Sequence, residues 1–331
     1  MKDKHSKRIV FLDNLKGFAI ILVVIGHAVQ YFYSPEDFDR NLLFRLVYSF
    51  HMPLFFVISG YVTLYSRHSS LTFIWLKKNV LQLLLPFFSW AVLSWIVFHK
   101  YSVIDVIMQP DTGLWFLWTL FFVRICFVFS QTLALKLNVT PIIIHVVMYL
   151  ILFILAYLMK GLFASGMIGR YYFFYTIGYY TAVHKDQLFK VKNIGLSLLT
   201  YTSCFLLFSI YWYRTRDAIP ELYDGIFQGF IVNDVYKYMT ALLGSQTCLL
   251  SFFYYRGVNL SFIGKKTLGI YAVHQFLINI MVLCKGPLSE VLYHTPLGII
   301  TCILLLLVLS LWLIKVINKS KLGNLLLLGK Y

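Results

Sequence analysis

Charged residues are scarce in this sequence. Asp, Glu, Lys and Arg make up 13% of its 331 residues, whereas 60% are hydrophobic and 18% are aromatic. A soluble domain carries about 25% charged residues, so the composition excludes a water-soluble chain and indicates an integral membrane protein. The five cysteines stand singly in apolar segments without a CxxC pair, which excludes a disulfide framework. No metal site is predicted.

Ten apolar stretches are long enough to cross a bilayer as helices, for which about 20 residues are needed. The predicted spans lie near 17–33, 45–65, 79–98, 113–131, 141–159, 168–184, 193–213, 235–255, 267–284 and 297–317. The sequence therefore predicts an all-α integral membrane protein, a bundle of about ten transmembrane helices. We expect the Tyr- and Gly-rich span at 168–184 to face protein rather than lipid. No small-residue cleavage site follows the first span, so we expect a retained first helix rather than a signal peptide.

The basic residues are distributed unevenly along the chain. With the N-terminus in the cytoplasm and strict alternation of spans, the cytoplasmic segments hold 19 of the 29 Lys and Arg residues. The outer segments hold ten of the 13 acids. This asymmetry follows the positive-inside rule and predicts that both termini are cytoplasmic. The net charge of +16 thus reflects membrane topology, and no nucleic-acid partner is expected.

The predicted spans contain no Asp or Glu and few other ionisable groups. Those that lie away from the span ends are His27, His51, Arg124, His145 and His274. Such groups are costly inside a bilayer and indicate function by default, although His145, near a helix start, is interpreted as structural. The lack of an intramembrane carboxylate excludes the acidic proton relay of many ion-coupled pumps. It also leaves His27 without an acid to orient its ring.

Lys16 and His27 are eleven residues apart in the first span. On an α-helix this spacing returns to within ~20° of the same face, with a rise of ~16 Å. A cation at the cytoplasmic mouth and an imidazole deeper in the membrane suit a donor with an anionic head and a long thin arm. Coenzyme A thioesters have that shape. The alternative for Lys16 is a snorkelling anchor at the membrane surface.

Two further groups have both a functional and a structural interpretation. Pro53 predicts that a helix breaks or starts beside His51, because proline removes a backbone donor and clashes with the preceding turn. His51 is then either functional or satisfied by a freed carbonyl. The Ser59–Gly60 pair predicts a close helix approach. Arg124 keeps its proton, so it needs either an anion such as phosphate or, in a structural role, backbone carbonyls or water.

Five motifs together resemble the acyltransferase family 3 membrane proteins, most closely the fucose 4-O-acetylase-like branch. "RIVFLDNLKGFAIILVVIGH" carries Lys16 and His27, "FHMPLFFVISGY" carries His51, "WLKKNVLQLLLPF" carries Lys77 and Lys78, "LWFLWTLFF" carries Trp115, and "IGKKTLGIYAVHQFLI" carries Tyr271 and His274. The motifs run in family order from residue 8 to about 278. One departure is Gln82, where the family usually has Arg or Lys, so Lys77 or Lys78 would have to substitute.

The resemblance implies one acyltransferase domain over 1–331, a stand-alone multi-pass O-acyltransferase of the bacterial plasma (inner) membrane. It implies transfer of an acetyl or similar acyl group from acyl-coenzyme A to a sugar hydroxyl. The acceptor would be a surface polysaccharide or its lipid-linked precursor. Acetyl-coenzyme A is thus expected as a co-substrate, with no permanently bound cofactor. The expected partners are acyl-coenzyme A, the glycan acceptor and membrane lipids.

The resemblance also assigns roles. His27 is expected to be catalytic, as a base or a transient acyl carrier. We expect Lys16, Lys77 and Lys78 to bind the coenzyme A head, and Arg124 to stabilise either a donor phosphate or the oxyanion formed in transfer. The expected supporting residues are His51, Trp115, Tyr271 and His274. Of these, His51 and His274 would either position the acceptor or polarise the thioester. The outer loop at 214–235 is expected to shape acceptor access. The alternative function is a transporter or flippase for lipid-linked sugars, which is disfavoured because no internal half-repeat is visible.

Overall fold

Helical structure follows the apolar runs of the sequence. The structure is a computed structural model that describes residues 10–33, 37–66, 71–214, 226–255, 257–284, 286 and 295–330. These residues form helices and turns and no strand. A helix satisfies its own backbone N–H and C=O groups, which lipid cannot do. The predicted all-α membrane class is confirmed.

The helices are numbered in chain order. They are α1 (Val10–Ala28), α2 (Leu42–Tyr48), α3 (His51–Thr63), α4 (Phe73–Asn79), α5 (Leu85–Phe98), α6 (Val103–Met108), α7 (Trp115–Leu137), α8 (Pro141–Met159), α9 (Ser165–Val183), α10 (Lys185–Leu188), α11 (Ile194–Ile210), α12 (Ile226–Tyr254), α13 (Ser261–Gly264), α14 (Thr267–Leu283), α15 (Pro296–Ile317) and α16 (Lys321–Leu328). Two π-helical segments, Val29–Tyr33 and Val80–Leu84, follow α1 and α4 directly.

A helix lies at each of the ten ranges predicted to span the membrane. Within the described residues, six helical stretches are long and apolar enough to cross a bilayer: Val10–Tyr33, Leu42–Thr63, Phe73–Phe98, Trp115–Leu137, Pro141–Met159 and Pro296–Ile317. The helices α11 and α14 are apolar but shorter. The multi-pass character is therefore clear, and the number of ten crossings stays a prediction.

The first helix begins earlier than predicted, at Val10 rather than at residue 17. Its first turns thus include Asp13 and Asn14, which are both buried, with Lys16 following on the same helix. Hydropathy places the boundary too late because these polar side chains resemble a loop. Their burial is against protein, so an acid does lie within the helix that carries His27.

The helix α12 also begins earlier than predicted, at Ile226 rather than at residue 235. The predicted outer loop at 214–235 is therefore shorter than expected. Its central part, 215–225, lies outside the described residues. Because Asn233 and Asp234 are polar, a hydropathy scan places the start of this helix after them.

The break predicted at Pro53 is confirmed. The helix α2 ends at Tyr48, residues Ser49 and Phe50 form a turn, and α3 begins at His51. Pro53 thus lies in the first turn of α3, where a missing backbone N–H leaves no hydrogen bond unmade. The break releases carbonyls of the last turn of α2 for other partners.

The helices group into two units, the first comprising residues 1–55 and 185–311. In this unit α1 packs on α13 and also contacts α2, α12 and α14. A β-carbon on Gly17 would come within 2.5 Å of the Leu260 carbonyl oxygen. Likewise, one on Gly264 would overlap the Asp13 carbonyl. The side chain of Asn14 adds an anchor, since its oxygen accepts a hydrogen bond from the Leu260 N–H at 3.1 Å.

The second unit comprises residues 56–184 and 312–331. In it α7, α8 and α9 pack against one another, and α16 packs on α5. A β-carbon on Gly178 of α9 would overlap the Val57 carbonyl, and one on Gly60 would overlap the Tyr175 carbonyl. Small residues allow this backbone approach between membrane helices. The close approach expected at Gly60 and the protein-facing role of the span at 168–184 are both confirmed.

Replacing Gly178 with Ala is expected to destabilise the protein, whereas replacing Gly166 with Ala is not. The methyl group at Gly178 overlaps the Val57 backbone, and overpacking of this kind costs about 1–3 kcal/mol. Gly166 lies in the first turn of the same helix with nothing within 4 Å of a β-carbon, so Ala there adds no clash. Thermal unfolding of both variants in one detergent measures the difference. Equal melting temperatures would contradict the packing at Gly178.

Candidate functional site

His27 lies in the last turn of α1, directly before the first π-helical segment. Such segments often occur at functional sites. The His27 ring is partly exposed, whereas the His51 and His274 side chains are 2% and 1% exposed. Of these three histidines, His27 is therefore the most exposed.

Tyr48 holds the His27 ring in place. The Tyr48 hydroxyl lies 3.1 Å from Nδ1 of His27 and donates a hydrogen bond to Oε1 of Gln30 at 2.8 Å. The Tyr48 ring stacks on Phe44 with centroids 3.9 Å apart and meets His51 edge-on at 4.7 Å. The sequence leaves His27 without an acid to orient it, and the structure supplies a tyrosine instead.

The residues Tyr48, Gln30 and Gly26 are not among those predicted from the sequence. A β-carbon on Gly26 would overlap the Tyr48 ring, so this glycine makes room for the contact with His27. Two sequence signals point the same way in retrospect. Gln30 lies one helical turn after His27, and a glycine directly precedes His27 in the chain.

The helix α14 brings His274 to His27. Their ring centroids are 5.3 Å apart, with planes inclined by 44°. Nδ1 of His274 lies 3.0 Å from the Ile270 carbonyl oxygen and 2.7 Å from that of Tyr271. Because a carbonyl only accepts hydrogen bonds, Nδ1 carries the proton and Nε2 carries the lone pair. That Nε2 atom is buried and has no hydrogen-bond partner among the described residues.

His51 has the same arrangement at the start of α3. Its Nδ1 atom donates to the Val47 carbonyl oxygen at 2.8 Å. Val47 belongs to the last turn of α2, so this carbonyl is one that the helix break releases. The structural alternative considered for His51 thus holds at Nδ1, and its Nε2 atom still carries a lone pair.

Lys16 lies on α1 with His27, and the helix is continuous between them. The eleven-residue spacing therefore keeps both on one face, with a rise of ~16 Å. The Lys16 side chain is partly exposed. Tyr271 lies on α14, and its ring centroid is 5.6 Å from that of His274. The first unit thus contains Lys16, His27, His51, Tyr271 and His274.

The remaining predicted site residues belong to the second unit. Arg124 of α7 donates from Nη1 to Oδ1 of Asn79 at 3.0 Å, and the Asn79 amide donates to the Trp75 carbonyl at 2.8 Å. The guanidinium also interacts with the Tyr175 phenol. Among the described residues no carboxylate forms an ion pair with Arg124. Its partners are neutral, so its positive charge is not cancelled.

Three further predicted residues lie at helix ends of the second unit. Lys77 and Lys78 are exposed in the last turn of α4. Gln82 follows in the adjoining π-helical segment. Trp115 is the first residue of α7, and its ring stacks on Tyr171 with centroids 5.3 Å apart. The Lys77 and Lys78 ammonium groups are thus accessible to an anion.

His145 belongs to a closed hydrogen-bond network in the second unit. Its Nδ1 atom lies 2.6 Å from the Tyr172 hydroxyl, and its Nε2 atom lies 2.9 Å from the Gln131 amide nitrogen. The Tyr172 hydroxyl also meets Ser130 at 3.0 Å. Both ring nitrogens are occupied and the side chain is 2% exposed, which supports the structural interpretation of His145.

The sequence of this chain is similar to an acyltransferase family and to two nodulation proteins. A family model described as an acyltransferase domain matches residues 9–315. A nodulation protein NolL from Mesorhizobium japonicum is 32% identical over 127 residues, which cover 35% of this chain and 34% of the relative. The NolL protein of Sinorhizobium fredii is 31% identical over 124 residues, which cover 34% of each chain. The match spans about a third of the length of these curated relatives. No solved structure matches the chain.

The hydrogen bond between Asn79 and Arg124 is expected to contribute to stability. A double-mutant cycle with Asn79→Leu and Arg124→Leu isolates it, and a hydrogen bond to a charged group is worth about 1.5–3 kcal/mol. The single variants should therefore lose more stability together than the double variant does. The measurement is the unfolding free energy of the wild type, the two single variants and the double variant in one detergent. Additive losses would show that the two side chains do not interact.

Proposed function

Because the chain belongs to the acyltransferase 3 family, we propose that it is a membrane O-acyltransferase. It moves an acetyl or similar acyl group from acyl-coenzyme A to a sugar hydroxyl of a surface polysaccharide or its lipid-linked precursor. The bacterial plasma membrane is the proposed location. The observation that carries this proposal is His27, a partly exposed histidine on a membrane helix whose Nδ1 atom meets the Tyr48 hydroxyl.

His27 acts as the general base in this proposal. The acceptor hydroxyl attacks the thioester carbon, a C–O bond forms and the C–S bond breaks. The hydroxyl proton passes to Nε2 of His27 and then to the departing sulfur of coenzyme A. Histidine suits both steps because it gains and loses a proton near neutral pH. A transient acyl-histidine is the alternative course, and it uses the same nitrogen.

His51 and His274 position the acceptor in this proposal. Their Nδ1 protons are already donated to backbone carbonyls, so each neutral ring offers only a lone pair at Nε2. A lone pair accepts a hydrogen bond from a sugar hydroxyl. It cannot polarise a thioester carbonyl, which needs a donor. The hydrogen bonds thus support acceptor positioning over the other role considered for these histidines.

Positive side chains bind the coenzyme A phosphates in this proposal. The candidates are Lys16 in the first unit and, separately, Lys77, Lys78 and Arg124 in the second unit. The neutral partners of Arg124 support this role, because its charge is not balanced by a carboxylate among the described residues. Trp115 and Tyr271 support substrate binding through their rings.

Replacing His27 with Ala is expected to lower acyl transfer at least a hundredfold, since a general base contributes about 10²–10⁴-fold to a rate. The matched control is His184→Ala, because His184 is exposed just beyond the end of α9. Purified protein, radiolabelled acetyl-coenzyme A and a glycan acceptor provide the assay. Wild-type activity in folded His27→Ala protein would eliminate the base. A protein that neither binds nor hydrolyses acetyl-coenzyme A would instead favour the flippase.

Replacing Lys16 with Ala is expected to raise KM for acyl-coenzyme A about tenfold, as the loss of one contact worth about 1.4 kcal/mol would do. Lys16→Arg should keep most of the affinity because the charge remains. Lys190→Ala serves as the control, since Lys190 is an exposed lysine of the same unit. Steady-state kinetics at varied donor concentration measure the effect. An unchanged KM in Lys16→Ala would favour the membrane-anchor interpretation.

A further inference from the structure

We propose that Tyr48 and Gln30 form a positioning pair that fixes the tautomer of His27, with the proton on Nδ1 and the lone pair on Nε2. This inference rests on the proposed function, in which His27 is the base. It assigns a role to two residues of the first unit that the reaction scheme above does not use. Neither of them is a catalytic residue, because both act through His27.

The direction of the hydrogen bonds follows from the available protons. A tyrosine hydroxyl has one proton, and Tyr48 donates it to Oε1 of Gln30 at 2.8 Å. Its oxygen can then only accept from His27, 3.1 Å away, so Nδ1 must carry the ring proton. Gln30 thus acts on His27 through the Tyr48 hydroxyl.

The packing around Tyr48 keeps its hydroxyl in this position. One side of its ring stacks on Phe44, and His51 contacts its edge. Gly26 lets the ring come close to α1, because a side chain there would overlap it. Gln30 is fixed in the π-helical segment, one turn beyond His27. The pair is therefore in place before any substrate binds.

As a consequence, His27 presents the lone pair of its Nε2 atom to the substrate. His51 and His274 share the Nδ1-protonated form, so all three rings present Nε2 as an acceptor. When His27 takes the hydroxyl proton, it becomes an imidazolium. The Tyr48 oxygen then accepts from its Nδ1–H group, and Gln30 keeps accepting the Tyr48 proton. A hydroxyl and an amide thereby take the part that a carboxylate has in a catalytic triad.

The variant Tyr48→Phe is expected to lower kcat about ten- to a hundredfold, part of the 10²–10⁴-fold that a general base supplies. KM for acyl-coenzyme A should stay within about twofold, because no donor contact is lost. Tyr31→Phe is the matched control. The Tyr31 ring also lies beside His27, at 5.9 Å, yet no hydrogen bond joins the two among the described residues. It should behave like the wild type.

Substitutions at Gln30 test the same idea without touching Tyr48. Gln30→Glu keeps an acceptor for the Tyr48 proton and should keep kcat within about threefold, since the tautomer is preserved. Gln30→Met removes the acceptor, so the Tyr48 proton can turn to Nδ1 and the base is lost in part. Its kcat should fall about tenfold, a minor share of the general-base contribution. This contrast decides the matter if Tyr48→Phe fails to fold.

The outcomes separate this inference from the proposed function. Wild-type kcat in Tyr48→Phe, or equal kcat in the two Gln30 variants, overturns the tautomer assignment. If His27→Ala is inactive in that case, His27 stays the base. Full activity in His27→Ala removes the base and the positioning pair together. A loss confined to KM in Tyr48→Phe means that Tyr48 binds substrate, which also overturns the assignment.

Discussion

The close contact between Gly17 and Gly264 determines the geometry of the first unit. Gly17 lies on α1, Gly264 ends α13, and neither position has room for a β-carbon. His27 follows Gly17 by ten residues, and His274 follows Gly264 by ten residues. The helices α1 and α14 come together at these histidines, whose ring centroids are 5.3 Å apart. A side chain at either glycine would move α1 away from α13 and alter the distance between the rings.

Neutral hydrogen-bond partners meet several polar side chains in both units. Backbone carbonyls accept from His51 and His274, side chains surround His145, and the amide of Asn79 accepts from Arg124. An ion pair in the same place would require two charges to lose their water, which is costly in a low dielectric. Neutral partners have a further effect, because they leave the charge of Arg124 uncancelled. On the proposed function, a ligand phosphate forms the ion pair that no described carboxylate forms with Arg124.

The sequence predicts the helices better than the contacts between them. Apolar runs mark all ten helical ranges, and Pro53 marks the break before α3, because these signals are local. The early starts of α1 and α12 escape detection since Asp13 and Asp234 lie inside helices, where hydropathy expects a loop. The role of Tyr48 escapes for a different reason. It depends on how α1 and α2 pack, and no spacing rule relates Tyr48 to a histidine 21 residues earlier in the chain.

The shared tautomer of His27, His51 and His274 limits what these residues do in the proposed reaction. Each ring offers a lone pair, so together they can take or orient hydroxyl protons. The tetrahedral intermediate, however, carries negative charge on the former thioester oxygen, and that charge needs an N–H donor or a cation. None of the three neutral rings has a spare N–H group. On the proposed mechanism the histidines therefore act on the acceptor, and stabilisation of the oxyanion falls to an N–H donor or a cation outside these three rings.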